Sequence, residues 1–231
     1  MPTFGCTGGG GQTYATEVRV CQGSFGPLAL PVASYYDGQG GGNINNVPPV
    51  GTPATATDTA TNGLQLPLTG FPNSNRADNY SARLRGFIRP TISGNYTFYI
   101  TSDDAGQFSI GAAGAAIGAT TPLITNNGYS GPPGVGGVTS VQVALVAGQF
   151  YPFEMIFSEG GGGDYVQVDW SGPVGARQVV PASVLSATNQ AGIRAVYRTT
   201  TVTAGVSTIT YALLDGTPVV PTLANPIVDC P

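Results

Sequence analysis

The 231-residue chain contains no histidine, and its 8 basic residues are all arginine. Without histidine, Ser-His-Asp and Cys-His catalysis are excluded, as is every zinc site built on imidazole. Without lysine, Schiff-base chemistry and a P-loop are excluded. Charge of either sign is scarce, at 9% of residues, against about 25% in an ordinary globular domain. The formal net charge is -4. Binding to nucleic acid needs a basic surface, so no nucleic-acid partner is expected. No run of 18 apolar residues occurs, so no membrane insertion is expected. The start, Met1-Pro2-Thr3-Phe4-Gly5, has neither a basic nor an apolar signal region, so no signal peptide is expected. Cysteine is limited to Cys6, Cys21 and Cys230, with no C-x₂-C pair for a thiolate metal site. Cys6 and Cys21 are the candidate disulfide. Either could instead reach Cys230, or all three could be buried thiols.

What the chain has in abundance is glycine (35) and proline (19). Both disfavour helix interiors, so long helices are excluded. With 41% apolar residues and many Tyr and Phe, the expectation is an all-β protein with tight turns rather than a disordered chain. Leu84, Gly86 and Ile88 alternate with Arg83, Arg85, Phe87 and Arg89. A turn at 90–95 leads into a second alternation of Tyr96, Phe98 and Ile100 with Thr97, Tyr99 and Thr101. This period of two predicts a hairpin. Residues 102–106 are predicted as a loop, followed by a short strand at 108–110. Further strands are predicted at 138–145, 150–158 and 164–170, and a helical turn at 181–185. The Gly-rich stretch 111–137 and Gly160 to Gly163 are predicted as loops. Near the end, 193–203 and 206–214 form a second predicted hairpin. Glu17 to Cys21 is predicted as a brief strand within an otherwise irregular amino-terminal arm.

Several of these segments together resemble the PA14 domain family, a β-sandwich shared with yeast flocculins and epithelial adhesins. The resemblance rests on Arg85-Gly86-Phe87-Ile88-Arg89-Pro90, Ser93-Gly94-Asn95-Tyr96-Thr97-Phe98 and Ser102-Asp103-Asp104-Ala105-Gly106. It continues through Leu145 to Tyr151, Ser158 to Gly163, Val168-Asp169-Trp170 and the Pro181/Leu185 segment, with Tyr35-Tyr36-Asp37-Gly38 as the opening strand. It implies a PA14-like antiparallel sandwich over 34–188, preceded by an arm (1–33) and followed by an appended β-hairpin and tail (189–231).

In adhesive members of that family, adjacent aspartates joined by a cis peptide hold one Ca²⁺, which helps hold a sugar. The resemblance carries this role to Asp103 and Asp104. Calcium takes six to eight hard oxygen ligands, and two adjacent carboxylates repel unless a cation offsets them. Glu159 and Asp164, at the ends of the glycine loop, are the other candidate metal ligands. Yeast adhesins place an asparagine near this loop, where Ser158 and Glu159 stand here. Asn126 and Asn127 are the candidate substitutes for glycan contact. Tyr99 and Tyr129 are candidate stacking faces for a sugar, and Trp170 is expected in the core. Arg83, Arg85 and Arg89 share a strand face and are candidates for an interface or an acidic glycan. No catalytic constellation is evident: a glycosidase needs two carboxylates across a cleft, one with a raised pKa, and nothing in the sequence supplies that rise.

These features support a non-enzymatic protein with a glycan-binding module directed at a cell surface. The termini and the run 211–220 resemble small phage tail, baseplate or capsid-accessory proteins. That points to a virion component whose partners are other assembly subunits, including copies of itself. The alternatives are a secreted bacterial Ca²⁺-dependent adhesin at the cell surface, or a cement or decoration protein with no ligand.

Overall fold

The computed structural model describes residues 12–22, 29–67, 75–189, 193–203 and 206–213, with side chains for 29–67 and 75–189. Cys6, Cys230 and the side chain of Cys21 lie outside the described residues, and the candidate disulfide with them. In chain order the strands are β1 (Gln12–Gln22), β2 (Val32–Asp37), β3 (Ala56–Thr59), β4 (Gln65–Leu66) and β5 (Tyr80–Ile88). Next come β6 (Gly94–Asp103), β7 (Ala105–Ile110), β8 (Thr121–Asn127), β9 (Val138–Leu145) and β10 (Tyr151–Ser158). The last are β11 (Tyr165–Gly172), β12 (Gly175–Val179), β13 (Leu185–Ser186), β14 (Ile193–Thr203) and β15 (Val206–Leu213). Short 3₁₀ turns occupy Ile44–Asn46 and Ala182–Val184.

The chain divides into two units. In one, β1 and β15 flank β14 in a three-stranded antiparallel sheet. The segment expected as an arm therefore supplies a strand to the carboxyl-terminal hairpin. It runs from Gln12 to Gln22, longer than the predicted five residues.

The other unit, Pro27–Asn189, is an antiparallel sandwich. One sheet has the order β3-β2-β5-β10-β7-β8, with β13 beside β5. The second has the order β12-β11-β6-β9, with β4 beside β11. Alternation decides which residues face inward. On β6, Tyr96, Phe98 and Ile100 are buried while Thr97 and Tyr99 are not. On β10, Phe153, Met155 and Phe157 are buried, and on β11 Val166, Val168 and Trp170. These rings interlock: Tyr96 and Trp170 centroids lie 4.9 Å apart, and Phe98 and Phe108 5.2 Å. Such tilted pairs add to the area they bury.

Two expectations are corrected. Residues 102–106 are not a loop, because β6 runs to Asp103 and β7 begins at Ala105. Within the expected loop 111–137, Thr121–Asn127 pairs with β7 as an edge strand. Its single buried side chain, Ile124, is too little alternation to read from composition.

Candidate functional site

Strand register gathers the candidate residues at one end of the sandwich. Asp37 pairs with Tyr80, and Ser81 with Ser158. Ser158 also pairs with Ala105, Ala105 with Asn127, and Asp103 with Tyr165. The ends of β2, β6, β8 and β10 and the starts of β5, β7 and β11 therefore meet. Between β10 and β11 lies the loop from Glu159 to Asp164.

The Asp103–Asp104 peptide is cis, the configuration that the resemblance implies. The Asp104 amide donates to Glu159 Oε2 at 3.2 Å, and the Gly160 amide donates to Asp104 Oδ2 at 2.9 Å. Asp164 is fully buried. It accepts from the Arg76 amide on both oxygens, at 3.2 and 2.9 Å, and from the Tyr80 hydroxyl at 2.6 Å. Glu159 is also fully buried, yet its Oε1 has no hydrogen-bond partner among the described residues. An ionised oxygen left so would be costly.

The electrostatics follow from this crowding. Burial pushes the Glu159 carboxyl up to about 8, helped by the charges of Asp104, Asp164 and Asp103. Burial also raises Asp103, with Asp104 and Asp164 adding to it. The Tyr165 hydroxyl, beside Asp103, is pushed up to about 12, mainly by burial. The expectation that nothing raises a carboxyl here is therefore corrected: the cause is burial, which only the fold reveals.

The donor set is wholly hard oxygen, and Glu159 Oε1 has no hydrogen-bond partner among the described residues. These residues fit a Ca²⁺ ion by chemistry. Among the described residues, no three Asp, Glu, Cys or His are drawn together in metal-ligand geometry. Asp104 and Glu159 sit at the centre of the cluster. Asp164 is held by protein donors and contributes mainly its charge.

The candidate glycan residues fall beside this cluster with different roles. Asn126 donates to Ser102 Oγ at 2.7 Å and to the Gly128 carbonyl, so its amide shapes the loop that follows β8. Asn127 is exposed, and Tyr129 is 66% exposed at the loop tip. That loop is tied to the site by Ser130, whose amide donates to the Ser102 carbonyl at 3.1 Å. Tyr99 lies elsewhere, with the Arg177 guanidinium 4.4 Å over its ring. The arginines do not form one free face. Arg83 is ion-paired with Glu154 and donates to the Pro48 carbonyl at 2.7 Å. Arg85 lies under Gly118. Arg89 is exposed, over the Phe150 ring.

Sequence reasoning missed a third wall, the segment from Gly40 to Asn46. The Gly41 amide donates to the Glu159 carbonyl at 2.8 Å, and the Asn43 amide to Ser158 Oγ at 3.0 Å. Gly42 faces the Asp104 carboxylate. The other missed residues are Arg76 and Tyr80, whose donors hold Asp164. A run of three glycines after Tyr35-Tyr36-Asp37 was the available signal. A Cβ on Gly40 would lie 2.3 Å from the Glu159 and Tyr80 carbonyl oxygens. Both are backbone atoms and cannot swing away. Gly40→Ala is therefore expected to cost about 1–3 kcal/mol. Gly38→Ala, at φ +75 with nothing within 4 Å, carries only the left-handed backbone cost of about 1–2 kcal/mol. Thermal melts of the two variants check this, with the Gly40 variant melting lower.

Comparisons with known proteins agree with the geometry. A family model described as the GLEYA domain matches residues 80–171. The PA14 domain of the MpAFP antifreeze protein is 22% identical, with a TM-score of 0.50, covering 74% of this chain and 98% of that one. The PA14 sugar-binding domain from an RTX adhesin is 15% identical, TM-score 0.50, covering 69% and 98%. The Epithelial Adhesin 6 A domain from Candida glabrata, solved in complex with Galβ1-3GlcNAc, is 15% identical, TM-score 0.50, covering 78% and 97%. The chain spans about half the length (50% and 53%) of two anti-sigma factor domain-containing proteins that it also matches, one of them from Clostridium clariflavum. No curated protein sequence matches it. The Pro27–Asn189 unit thus has a PA14-like fold.

Proposed function

We propose that the sandwich is a carbohydrate-binding module of adhesin type that acts at a cell surface, with Ca²⁺ shaping its site. The observation that carries this reading is the meeting of half-buried Asp103 and Asp104 with buried Glu159 and Asp164 at one end of the sandwich, with Glu159 Oε1 lacking a hydrogen-bond partner among the described residues. Asp103, Asp104 and Glu159 would hold the ion. When bound, it would offset their mutual repulsion and offer open coordination positions to sugar hydroxyls. Asn127 and Tyr129, exposed on the adjacent loop, would meet the sugar from the side, Tyr129 through its ring face.

A non-enzymatic role is supported by the placement of the one strongly raised carboxyl. Glu159 has no exposed surface, so its carboxyl is not open to a glycosidic oxygen as a general acid would be. A glycan array probed at millimolar calcium tests the binding reading. Binding to galactosides is the expected result, by likeness to the adhesin solved with Galβ1-3GlcNAc. Loss of signal in chelator and in Tyr129→Ala is expected with it, and uniform silence in calcium overturns the reading. A virion role, as a tail, baseplate or decoration component, draws only on the terminal segments, and nothing in the sandwich or its likenesses adds to it.

A further inference from the structure

The arginines of the sandwich are not used alike. Arg76 is ion-paired with Asp37, Arg83 with Glu154 and Arg177 with Asp169. Arg85 is half-buried, beneath Gly118. Arg89 is exposed and has no carboxylate partner among the described residues. It stands just past β5, whose last residue, Ile88, pairs with Tyr151 on β10 and Leu185 on β13. The carboxylates gather at the other end of this nine-residue strand, roughly 27 Å away at about 3.4 Å per residue.

A cleft of about 350 Å³ opens beside Arg89, with Thr91 and Ser183 on its lining and Pro90, Val184 and Leu185 as its buried, apolar part. No acidic residue lines it. The guanidinium is held in place there. Arg89 Nε donates to the Gly148 carbonyl at 3.3 Å, and the group lies 5.4 Å over the Phe150 ring. Phe150 is in turn edge-on to Phe87, with centroids 6.3 Å apart. The Arg89 amide donates to the Val184 carbonyl and the Gly148 amide to the Pro90 carbonyl, both at 2.8 Å. These bonds tie the walls of the cleft together. They use one of the five guanidinium N–H groups and leave both terminal nitrogens unpaired among the described residues.

We propose that this cleft is a separate ligand site, which takes an acidic sugar by its carboxylate, that is, a uronate. Charge and shape select this ligand. The two terminal nitrogens of a guanidinium match a planar carboxylate in two parallel hydrogen bonds. A phosphate group carries nearly two charges, and the single unpaired guanidinium offsets only one. Thr91 and Ser183 are exposed, so their hydroxyls can donate to or accept from those of a sugar ring. The cleft's volume lies at the lower end of small-molecule sites and suits one ring. The carboxylates at the far end would repel the same ligand, so the two ends of the sandwich differ in the sugars they admit. The inference does not depend on the calcium reading.

Titration of the full chain with methyl β-glucuronide in chelator tests it, followed by the amide NMR signals of Thr91, Gly148 and Val184. Saturable shifts with a Kd of roughly 1–10 mM are expected, with the signals of Asp104 and Gly160 unmoved. Methyl β-glucoside, which lacks the carboxylate, and acetate, which lacks the ring, should each bind at least about tenfold more weakly. Arg89→Gln should weaken glucuronide binding at least about tenfold, and Arg89→Lys, which keeps the charge but loses the fork, should not restore it. Both variants should melt near the parent chain, because the replaced side chain is exposed. Ser183→Ala, also at an exposed position, should weaken binding about threefold or more through the loss of one hydrogen bond, and it carries the test if the Arg89 variants do not fold. Absence of shifts up to roughly 50 mM overturns the proposal. So does an equal response to the glucoside or to acetate, or undiminished binding by a folded Arg89→Gln protein.

Discussion

Calcium is expected to raise the melting temperature of the sandwich, with a gain that grows with pH. A ligand that binds only the folded state at about 100 times its Kd stabilises by about 2.7 kcal/mol. For a unit of this size that corresponds to roughly 5–10 °C. The pH dependence follows from Glu159, whose carboxyl is held near 8 by burial and by its acidic neighbours. In chelator the folded state holds that proton more tightly than the unfolded chain does, from the ordinary carboxylate range up to about 8. Metal-free stability is therefore full below about pH 4.5 and lost as pH rises through about 8. Asp103, raised in the same direction, adds to the slope. Calcium must displace the proton to bind, so its stabilisation is small near pH 5.5 and large near pH 8.5. Glu159→Gln separates the two effects. It should raise the metal-free melting temperature at pH 8.5 while removing most of the calcium gain. Melts in chelator and in calcium across this range decide the matter. A metal-free melting temperature that climbs from pH 5.5 to 8.5, or melts indifferent to calcium, would sink the metal reading.

The parts of this site that were legible in the sequence are those carried by rare residues. Asp103-Asp104 stands out in a chain with 12 acidic residues, and Glu159 and Asp164 bracket a conspicuous glycine run. The strands that build the core were legible wherever alternation was clean, as in β6 and β11. What stayed hidden depends on backbone contacts between distant segments. Gly41 reaches the Glu159 carbonyl, and the Arg76 amide reaches Asp164. Main-chain donors leave no mark on residue type. Arg83, on an outward register, reads as a candidate for an interface or an acidic glycan, yet the Pro48 segment folds over it. The raised carboxyl of Glu159 was invisible for the same reason, since it comes from burial that only the assembled loops provide.

Trp170→Ala is expected to unfold the sandwich at temperatures where the parent chain is native. Trp170 is 2% exposed and stands between the two sheets, 4.9 Å from the Tyr96 ring and 6.3 Å from that of Phe98. Removing a buried indole costs about 3–5 kcal/mol, the lost burial plus the cavity left behind. That is roughly 6–20 °C in melting temperature for a unit of this size. Collapse cannot refill the space, because Tyr96 is fixed by its own hydroxyl, which donates to the Ile92 carbonyl at 2.7 Å. Trp170→Phe should be far milder. Trp170 Nε1 is buried with no hydrogen-bond partner among the described residues, so phenylalanine forfeits volume but no hydrogen bond. It also removes a donor that is costly to keep dry. Thermal melts by circular dichroism compare the two variants, because the parent's single tryptophan serves as a fluorescence probe only while it is present. A Phe variant as unstable as the Ala variant would mean that Nε1 has a partner. An Ala variant within about 2 °C of the parent would mean that the ring lies outside the core, contrary to the packing from which the site at the sandwich end is built.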